Sequence, residues 1–284
     1  MKSFSQRAGF KPVKSAVQVD SMDSDLRNKL WNALTMSYWD SADKTATWIG
    51  ENENLEILIN RLWHNFYRRP VDTIARYWQT TREEVRKYYF ACSWNEVYDF
   101  IEFVGENYPD EAKNLRFQEL CNSILEKELS AYRFVNKVIT QITSKIEISE
   151  IEDAINGTQK MQTVKVHLET SLTLLSDRKT PDYRNSIKES ISAVEALCNL
   201  ISGSEKTTLG KVLSIVEDKV PLHAALKQAF EKLYGFTSDS DGIRHALLEL
   251  PNLAQEDAKF MLITCSAFIN YLVTKAAKAK INLS

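Results

Sequence analysis

Apolar side chains recur every three or four residues through most of this sequence, which is the spacing of one face of an α-helix. One such stripe begins near residue 26, and a long one in the second half of the chain consists of Ile187, Ile191, Val194, Cys198 and Ile201. Glycine and proline are few, at 8 and 6 residues, so tight turns are few as well. The pattern predicts an all-α fold.

The helical pattern is interrupted once, in the stretch "AYRFVNKVITQITS". Aromatic and β-branched residues on both sides of Asn136 are typical of two short strands joined by a tight turn, so we predict one β-hairpin near residues 131–143. Helical periodicity resumes directly afterwards. We therefore expect two domains, a helical one over residues 1–145 and a helical bundle over residues 146–284.

Capping residues indicate where some of these helices begin and end. Thr180 followed by Pro181 predicts the start of the long helix in the second half, and Gly203 predicts its end. Two capping-box patterns, one beginning at Thr81 and the other at Ser93, predict the starts of two helices in the first half.

Composition and charge are those of a soluble globular protein. The chain is 44% hydrophobic and 26% charged, its net charge is −2 and its pI is about 6.2. No overall positive charge is present to hold nucleic acid, so any RNA contact has to be local. The most apolar stretch, "FMLITCSAFINYLV", is short for a bilayer and contains Asn270, and the first residues lack the apolar core of a secretory signal. We therefore expect a cytoplasmic protein that does not enter membranes.

Several common chemistries lack their sequence signals. None of the four cysteines or four histidines is paired at metal-ligand spacing, so we expect free, buried thiols and neither a metal nor another cofactor. The sequence also has no glycine-rich phosphate loop and no G-x-S-x-G elbow.

Arginines alternate with aromatic residues in "RLWHNFYRRPVDTIARYW". Such a stretch would suit a nucleic-acid surface, with arginines on phosphates and rings on bases. Trp63, Phe66 and Trp78, however, occur where a helix would bury them. The interpretation we favour is a solvated basic face over an aromatic core.

The most chemically specific stretch is "SDSDGIRHALLE", in which Arg244 is followed directly by His245. Asp239 and Asp241 are good helix N-caps, so the pair also fits the solvated first turn of an ordinary helix. A helix N-terminus attracts anions, however, and an arginine, a histidine and free amides together form a plausible phosphodiester site. Both interpretations are open on the residues alone.

Two parts of the sequence resemble known families. The opening stretch "FSQRAGFKPV…QVDSMDSDLRNKLWNAL" resembles the N-terminal domain of AbiJ-type abortive-infection proteins of bacteria. "DYRNSIKESISAVEALCNLI", "LYGFTSDSDGIRHA" and "EDAKFMLITCSAFINYL" resemble a divergent module of the HEPN superfamily. The resemblance spans most of the chain.

The resemblance implies a helical effector of antiviral defence or of a toxin–antitoxin system. Many HEPN proteins are metal-independent ribonucleases that act as homodimers, with an arginine four to six residues before a histidine. Here it implies that His245 is the acid/base and Arg244 the phosphate-binding cation. It also implies that Glu195 orients one of them, while Arg184, Asn185, Asp239 and Asp241 contribute to binding.

The sequence departs from the HEPN motif, because Ser238, Asp239 and Ser240 occupy the positions of the expected arginine. Two alternatives to a ribonuclease therefore stay open. One is a non-catalytic module that binds RNA, a nucleotide or a partner protein. The other is an interaction protein that senses a phage component, with an antitoxin or phage-derived trigger as its partner.

Overall fold

The computed structural model describes residues 17–40, 47–177, 182–203, 209–238 and 253–283, and the single residues 4, 8 and 10. The chain divides into two compact units, Met1–Thr143 and Ser144–Ser284. The predicted site residues of the "SDSDGIRHALLE" stretch, at positions 239–245, lie outside the described residues.

The described part of the first unit is helical apart from one hairpin. Its α-helices are α1 (Ser24–Leu34), α2 (Glu53–Arg61), α3 (Trp78–Ala91), α4 (Trp94–Asn107) and α5 (Glu111–Lys127). Short 3₁₀ turns are formed by Ile49–Glu51 and Val71–Thr73.

Helices α1 and α2 each continue into a wider π-helical turn, at Thr35–Trp39 and Leu62–Phe66. In the second turn the amide of Tyr67 donates to the carbonyl of Leu62 at 2.7 Å, five residues back. Such a turn holds one extra residue and so changes the direction of the side chains that follow. Both turns place large side chains deep in the core, Tyr38 and Trp39 in the first and Leu62 and Trp63 in the second. The simple helical period does not predict this change of direction.

The predicted hairpin is confirmed. Strands β1 (Arg133–Val135) and β2 (Val138–Thr140) pair antiparallel, with Val135 opposite Val138. The connecting residues Asn136 and Lys137 both have positive φ, 44° and 73°, as a two-residue turn of the primed type requires.

The hairpin is anchored by side chains from two helices. Asn122 of α5 makes two hydrogen bonds to the backbone of Phe134: its amide donates to the carbonyl at 3.0 Å, and its oxygen accepts from the N–H at 2.8 Å. On the other strand, the N–H of Ile139 donates to the carboxylate of Glu102 in α4 at 2.5 Å. The short strands therefore depend on α4 and α5 for partners.

The second unit is a bundle built around one long helix. Its helices are α6 (Lys145–Gly157), α7 (Gln162–Ser176), α8 (Tyr183–Ser202), α9 (Leu209–Lys219), α10 (Ala224–Ser238) and α11 (Gln255–Lys278). Helix α8 packs against α7, α9 and α11, and α11 also packs against α6. Among the described residues, the two strands of the hairpin form the one sheet, and the other elements are helices. The all-α prediction is therefore confirmed.

Helix α11 is, by length and composition, apolar enough to cross a membrane, and it is longer than the apolar stretch considered in the sequence. Its apolar stripe, which includes Met261, Cys265 and Leu272, is nevertheless buried within the second unit. The amide of Asn270 donates to the carbonyl and the carboxylate of Glu150 in α6, at 3.0 and 2.9 Å. These contacts make α11 part of the core of the second unit.

The two capping-box predictions have different outcomes. Ser93 and Glu96 form the predicted box at the start of α4. The box at Thr81 is wrong, because α3 already begins at Trp78 and Thr81 lies within it. Its hydroxyl donates instead to the carbonyl of Ala75 at 3.0 Å, fixing the segment that leads into the helix.

Glu102 makes the first unit sensitive to pH. Burial raises the pKa of its carboxyl to about 7, and the nearby carboxylates of Asp99 and Glu106 act in the same direction, against the hydrogen bond from Ile139. Since the pKa is higher in the folded chain than in the unfolded one, the related stability is present at low pH and is lost as the pH rises through about 7.

We therefore expect Glu102→Gln to raise the melting temperature at about pH 8 and to change it little near pH 5. The glutamine oxygen can still accept from Ile139, while its charge is gone. Thermal melts at both pH values measure the effect, with Glu119→Gln on the exposed surface of α5 as the control. Equal shifts at both pH values would contradict this account.

Candidate functional site

Three of the predicted site residues, Arg184, Asn185 and Glu195, lie on α8, the central helix of the second unit. This helix is amphipathic along its whole length, and its apolar stripe is buried as predicted, with Ile187 and Val194 fully inaccessible. The candidate residues lie on its more polar positions. Helix α8 therefore carries those residues of the candidate site that the structure describes.

The start of α8 differs from the prediction based on Thr180. The N-cap is Asp182, whose carboxylate accepts the backbone N–H of Asn185 at 3.0 Å and its side-chain amide at 2.6 Å. An aspartate is as good a cap as a threonine and also favours the positive end of the helix dipole. The amide of Asn185 is thus used in the cap, whereas we had expected it to serve in binding.

Arg184 and Glu195 lie on the same side of α8 but three turns apart. Eleven residues at 1.5 Å each separate their backbones by about 16 Å, which is more than the two side chains span together. Arg184 is therefore too far along the helix to be the cation that compensates Glu195. A pairing of Glu195 with Arg244 involves a residue outside the described ranges.

Glu195 is partly buried and lies one turn before Cys198. Burial raises the pKa of the Cys198 thiol to about 12, and the negative charge of Glu195 acts in the same direction. Cys198 is therefore protonated at neutral pH and is no nucleophile. All four cysteines are free, as predicted.

The structure adds a pair that sequence reasoning missed. Nδ1 of His167 on α7 lies 2.6 Å from Oε2 of Glu189 on α8, and both side chains are partly exposed. A carboxylate on one ring nitrogen fixes the orientation of the imidazole. The same contact also holds the two helices together. The residues are 22 positions apart, so no motif spacing could reveal the pair.

Three buried serines lie beside this pair, where α7 and α8 are in contact. The hydroxyl of Ser171 donates to the carbonyl of Ser186 at 2.8 Å and lies 2.7 Å from the hydroxyl of Ser190. Ser186 in turn donates to the carbonyl of Ser171 at 2.9 Å. Small side chains let the helices approach closely, and the hydroxyls satisfy one another in the absence of water. The cluster is a packing device, since none of its oxygens is accessible.

The arginine-rich stretch of the first unit follows the interpretation we favoured. Trp63 and Trp78 are buried. Arg61 donates to the carbonyl of Asn107 at 2.6 Å, and Arg69 forms an ion pair with Glu84 at 2.7 Å. These rings therefore belong to the core, and these two arginines have partners within the fold.

In the described part of the chain, no group of three or more histidine, cysteine, aspartate or glutamate side chains is placed to hold a metal ion. A comparison with protein-family models matches residues 2–157 to "AbiJ N-terminal domain 4". The match extends beyond the first compact unit and ends at Gly157, the last residue of α6. Searches of curated proteins and of solved structures gave no match.

The serine cluster generates a prediction about helix spacing. Ser190→Ala should cost about 1 to 2 kcal/mol of unfolding free energy, since it removes the hydrogen bonds of this hydroxyl with the Ser171 hydroxyl and the Ser186 carbonyl and leaves a small side chain. Ser190→Leu should cost more, roughly 1 to 3 kcal/mol for overpacking in addition to the lost bonds, because it forces α7 and α8 apart. Urea denaturation of the two variants measures the difference. Equal stabilities would show that the helices are not in close contact there.

Proposed function

The chain belongs to the AbiJ N-terminal domain 4 family and is a protein of the abortive-infection type, and we propose that its second unit is the effector, a metal-independent RNA endonuclease. It acts in bacterial antiviral defence, in the cytoplasm. The family region covers the first unit and α6, so the rest of the bundle is available for a separate task.

The observation that carries the proposal is the Arg244–His245 pair, the sole adjacent arginine and histidine in the sequence. An imidazole exchanges protons near neutral pH, and a guanidinium binds phosphate with two parallel hydrogen bonds. The resemblance of α8 and of the 233–246 stretch to the HEPN superfamily supports the same assignment.

In the proposed reaction, His245 removes the proton from the 2′-hydroxyl of the RNA, and the resulting oxygen attacks the adjacent phosphorus. The bond to the 5′-oxygen breaks, that oxygen takes the proton that His245 holds, and a 2′,3′-cyclic phosphate remains. Arg244 neutralises the charge that accumulates on the phosphate oxygens in the transition state. Glu195 orients one of these side chains, Arg184 supplies a cation for the RNA backbone, and Asp239 and Asp241 contribute to binding.

A homodimer is part of this proposal. Adjacent side chains diverge by about 100° on a helix and to opposite faces on a strand, so an arginine directly followed by a histidine does not converge easily on one phosphate. Two copies related by a two-fold axis can supply the arginine from one subunit and the histidine from the other. A phage-derived trigger or an antitoxin would then control access to the shared site.

The second candidate is a non-catalytic module that binds RNA, a nucleotide or a partner protein. The residues in the arginine positions of the HEPN motif favour it, because Ser238, Asp239 and Ser240 carry no positive charge. Cleavage of RNA by the purified chain separates the two functions.

We expect the purified chain to cleave total RNA in EDTA and His245→Ala to lower the rate by about 10² or more, the usual effect of losing a general acid/base. The variant should keep its stability within about 0.5 kcal/mol. His64→Ala is the matched control, since His64 is exposed in the first unit. RNA binding without cleavage by the unsubstituted chain would favour the non-catalytic module.

The chain has a mass of 32.6 kDa. We expect light scattering at micromolar concentration to give twice this mass. Mixing His245→Ala with Arg244→Ala should restore part of the activity, since a mixed dimer contains one complete site. A monomer, or two inactive variants that stay inactive when mixed, would count against a shared site.

A further inference from the structure

The first unit has an open cleft that the proposed ribonuclease does not use. Its volume is about 320 Å³, and it lies between the turn at Ile49–Glu51, helix α2 and residues 71–76. The buried Ile59 and the partly buried Ile74 form an apolar floor, while Glu56, Asn60 and Arg76 are polar residues of its wall. Concave sites with an apolar floor and a few converging polar groups are typical of small-molecule binding.

An exposed pair of stacked rings stands at this cleft. The ring centroids of Trp48 and Tyr77 lie 4.2 Å apart with an angle of 26° between the planes. Trp48 is 41% exposed and Tyr77 is 53% exposed, although the other large rings of this unit are mostly buried. Trp48 also lines the cleft, so the surface that Tyr77 does not cover is available to a ligand.

The backbone holds these rings in place without a ligand. The N–H of Ile49 donates to the carbonyl of Arg76 at 3.1 Å, and the N–H of Trp78 donates to the carbonyl of Thr47 at 3.0 Å. The carboxylate of Glu51 accepts the backbone N–H of Trp48 at 3.0 Å. The stacked pair is therefore a preformed platform whose ordering costs little on binding.

The polar side chains of the cleft include both a hydrogen-bond donor and hydrogen-bond acceptors. Arg76 is exposed and forms no ion pair with any of the described residues. Asn60 donates its amide to the carbonyl of Glu56, which leaves the amide oxygen as an acceptor. The carboxylate of Glu56 is exposed and accepts hydrogen bonds. The cleft thus combines an aromatic face, one cation and two acceptors.

We propose that this cleft binds one nucleotide, with the base against Trp48, the phosphate on Arg76 and the sugar hydroxyls or base N–H groups on Glu56 and Asn60. Aromatic stacking accepts any base, and the volume suits a single nucleotide. The nucleotide is either free or an unpaired one at the end of an RNA strand. A flat protein partner would use the exposed rings but would leave a concave, charged cleft unfilled.

Isothermal titration calorimetry of the full chain tests this binding. The probes are AMP, GMP, CMP and UMP, a single-stranded oligoadenylate and a blunt RNA duplex. We expect one nucleotide bound per chain, and at least one mononucleotide or the single strand should bind more tightly than the duplex, whose bases already have partners.

Three variants and one control locate the site. Trp48→Ala should weaken binding by about 5-fold or more, as expected for a lost base stack, and Arg76→Gln by about 10-fold. Gly50→Leu should fill the cleft, since its backbone is not left-handed and a Cβ there would meet only the Glu56 side chain, at 3.9 Å. Arg116→Gln, an exposed arginine on α5, should change nothing.

Binding of a mononucleotide that all three variants weaken supports a free nucleotide as the ligand. Binding of the single strand alone, with the same losses, supports an RNA end. The absence of binding by every probe, equal binding of duplex and single strand, or binding that the variants leave unchanged would overturn the proposal. Titrations of the RNA strands use the His245→Ala chain, which should not cleave them, so these outcomes do not depend on the proposed ribonuclease activity.

Discussion

The contact between Trp39 and Trp78, whose ring centroids lie 5.6 Å apart, organises much of the first unit. Trp39 ends the π-helical turn after α1, and Trp78 is the first residue of α3, so the contact joins two parts of the chain that are distant in sequence. Once Trp78 is buried, its neighbour Tyr77 has to point elsewhere. Tyr77 points outward and stacks on Trp48, so the packing of the core determines which rings face solvent.

The second unit solves a different packing problem. Its helices come together through aliphatic stripes, and where α7 meets α8 three serines replace large side chains. Close approach of two backbones then sets the position of His167 against Glu189 one turn away. The distance between α7 and α8 thus determines where the polar side chains of α8 find their partners. In the first unit, by contrast, turns position the polar groups.

Helical periodicity and turn chemistry were enough to predict the fold class, the hairpin at Asn136 and the end of α8 at Gly203. They failed where a neighbouring residue competes for the same role, as Asp182 does with Thr180. They could not find the contacts made by residues far apart in the chain, such as His167 with Glu189 or Trp48 with Tyr77. Those depend on how elements meet, and no local pattern records that. The predicted pair Arg244–His245 is outside the described residues and stays a prediction.

Helix α6 belongs both to the region matched to the family and to the second compact unit. By sequence it is the last part of the region matched to the family, and by packing it is the first helix of the bundle, where Ile151, Ala154 and Ile155 are buried. A cut at the end of the family region therefore falls inside the second unit, and it separates the apolar face of α6 from the α11 side chains that pack against it. The part of the chain that the family defines is for that reason larger than the part that packs as the first unit.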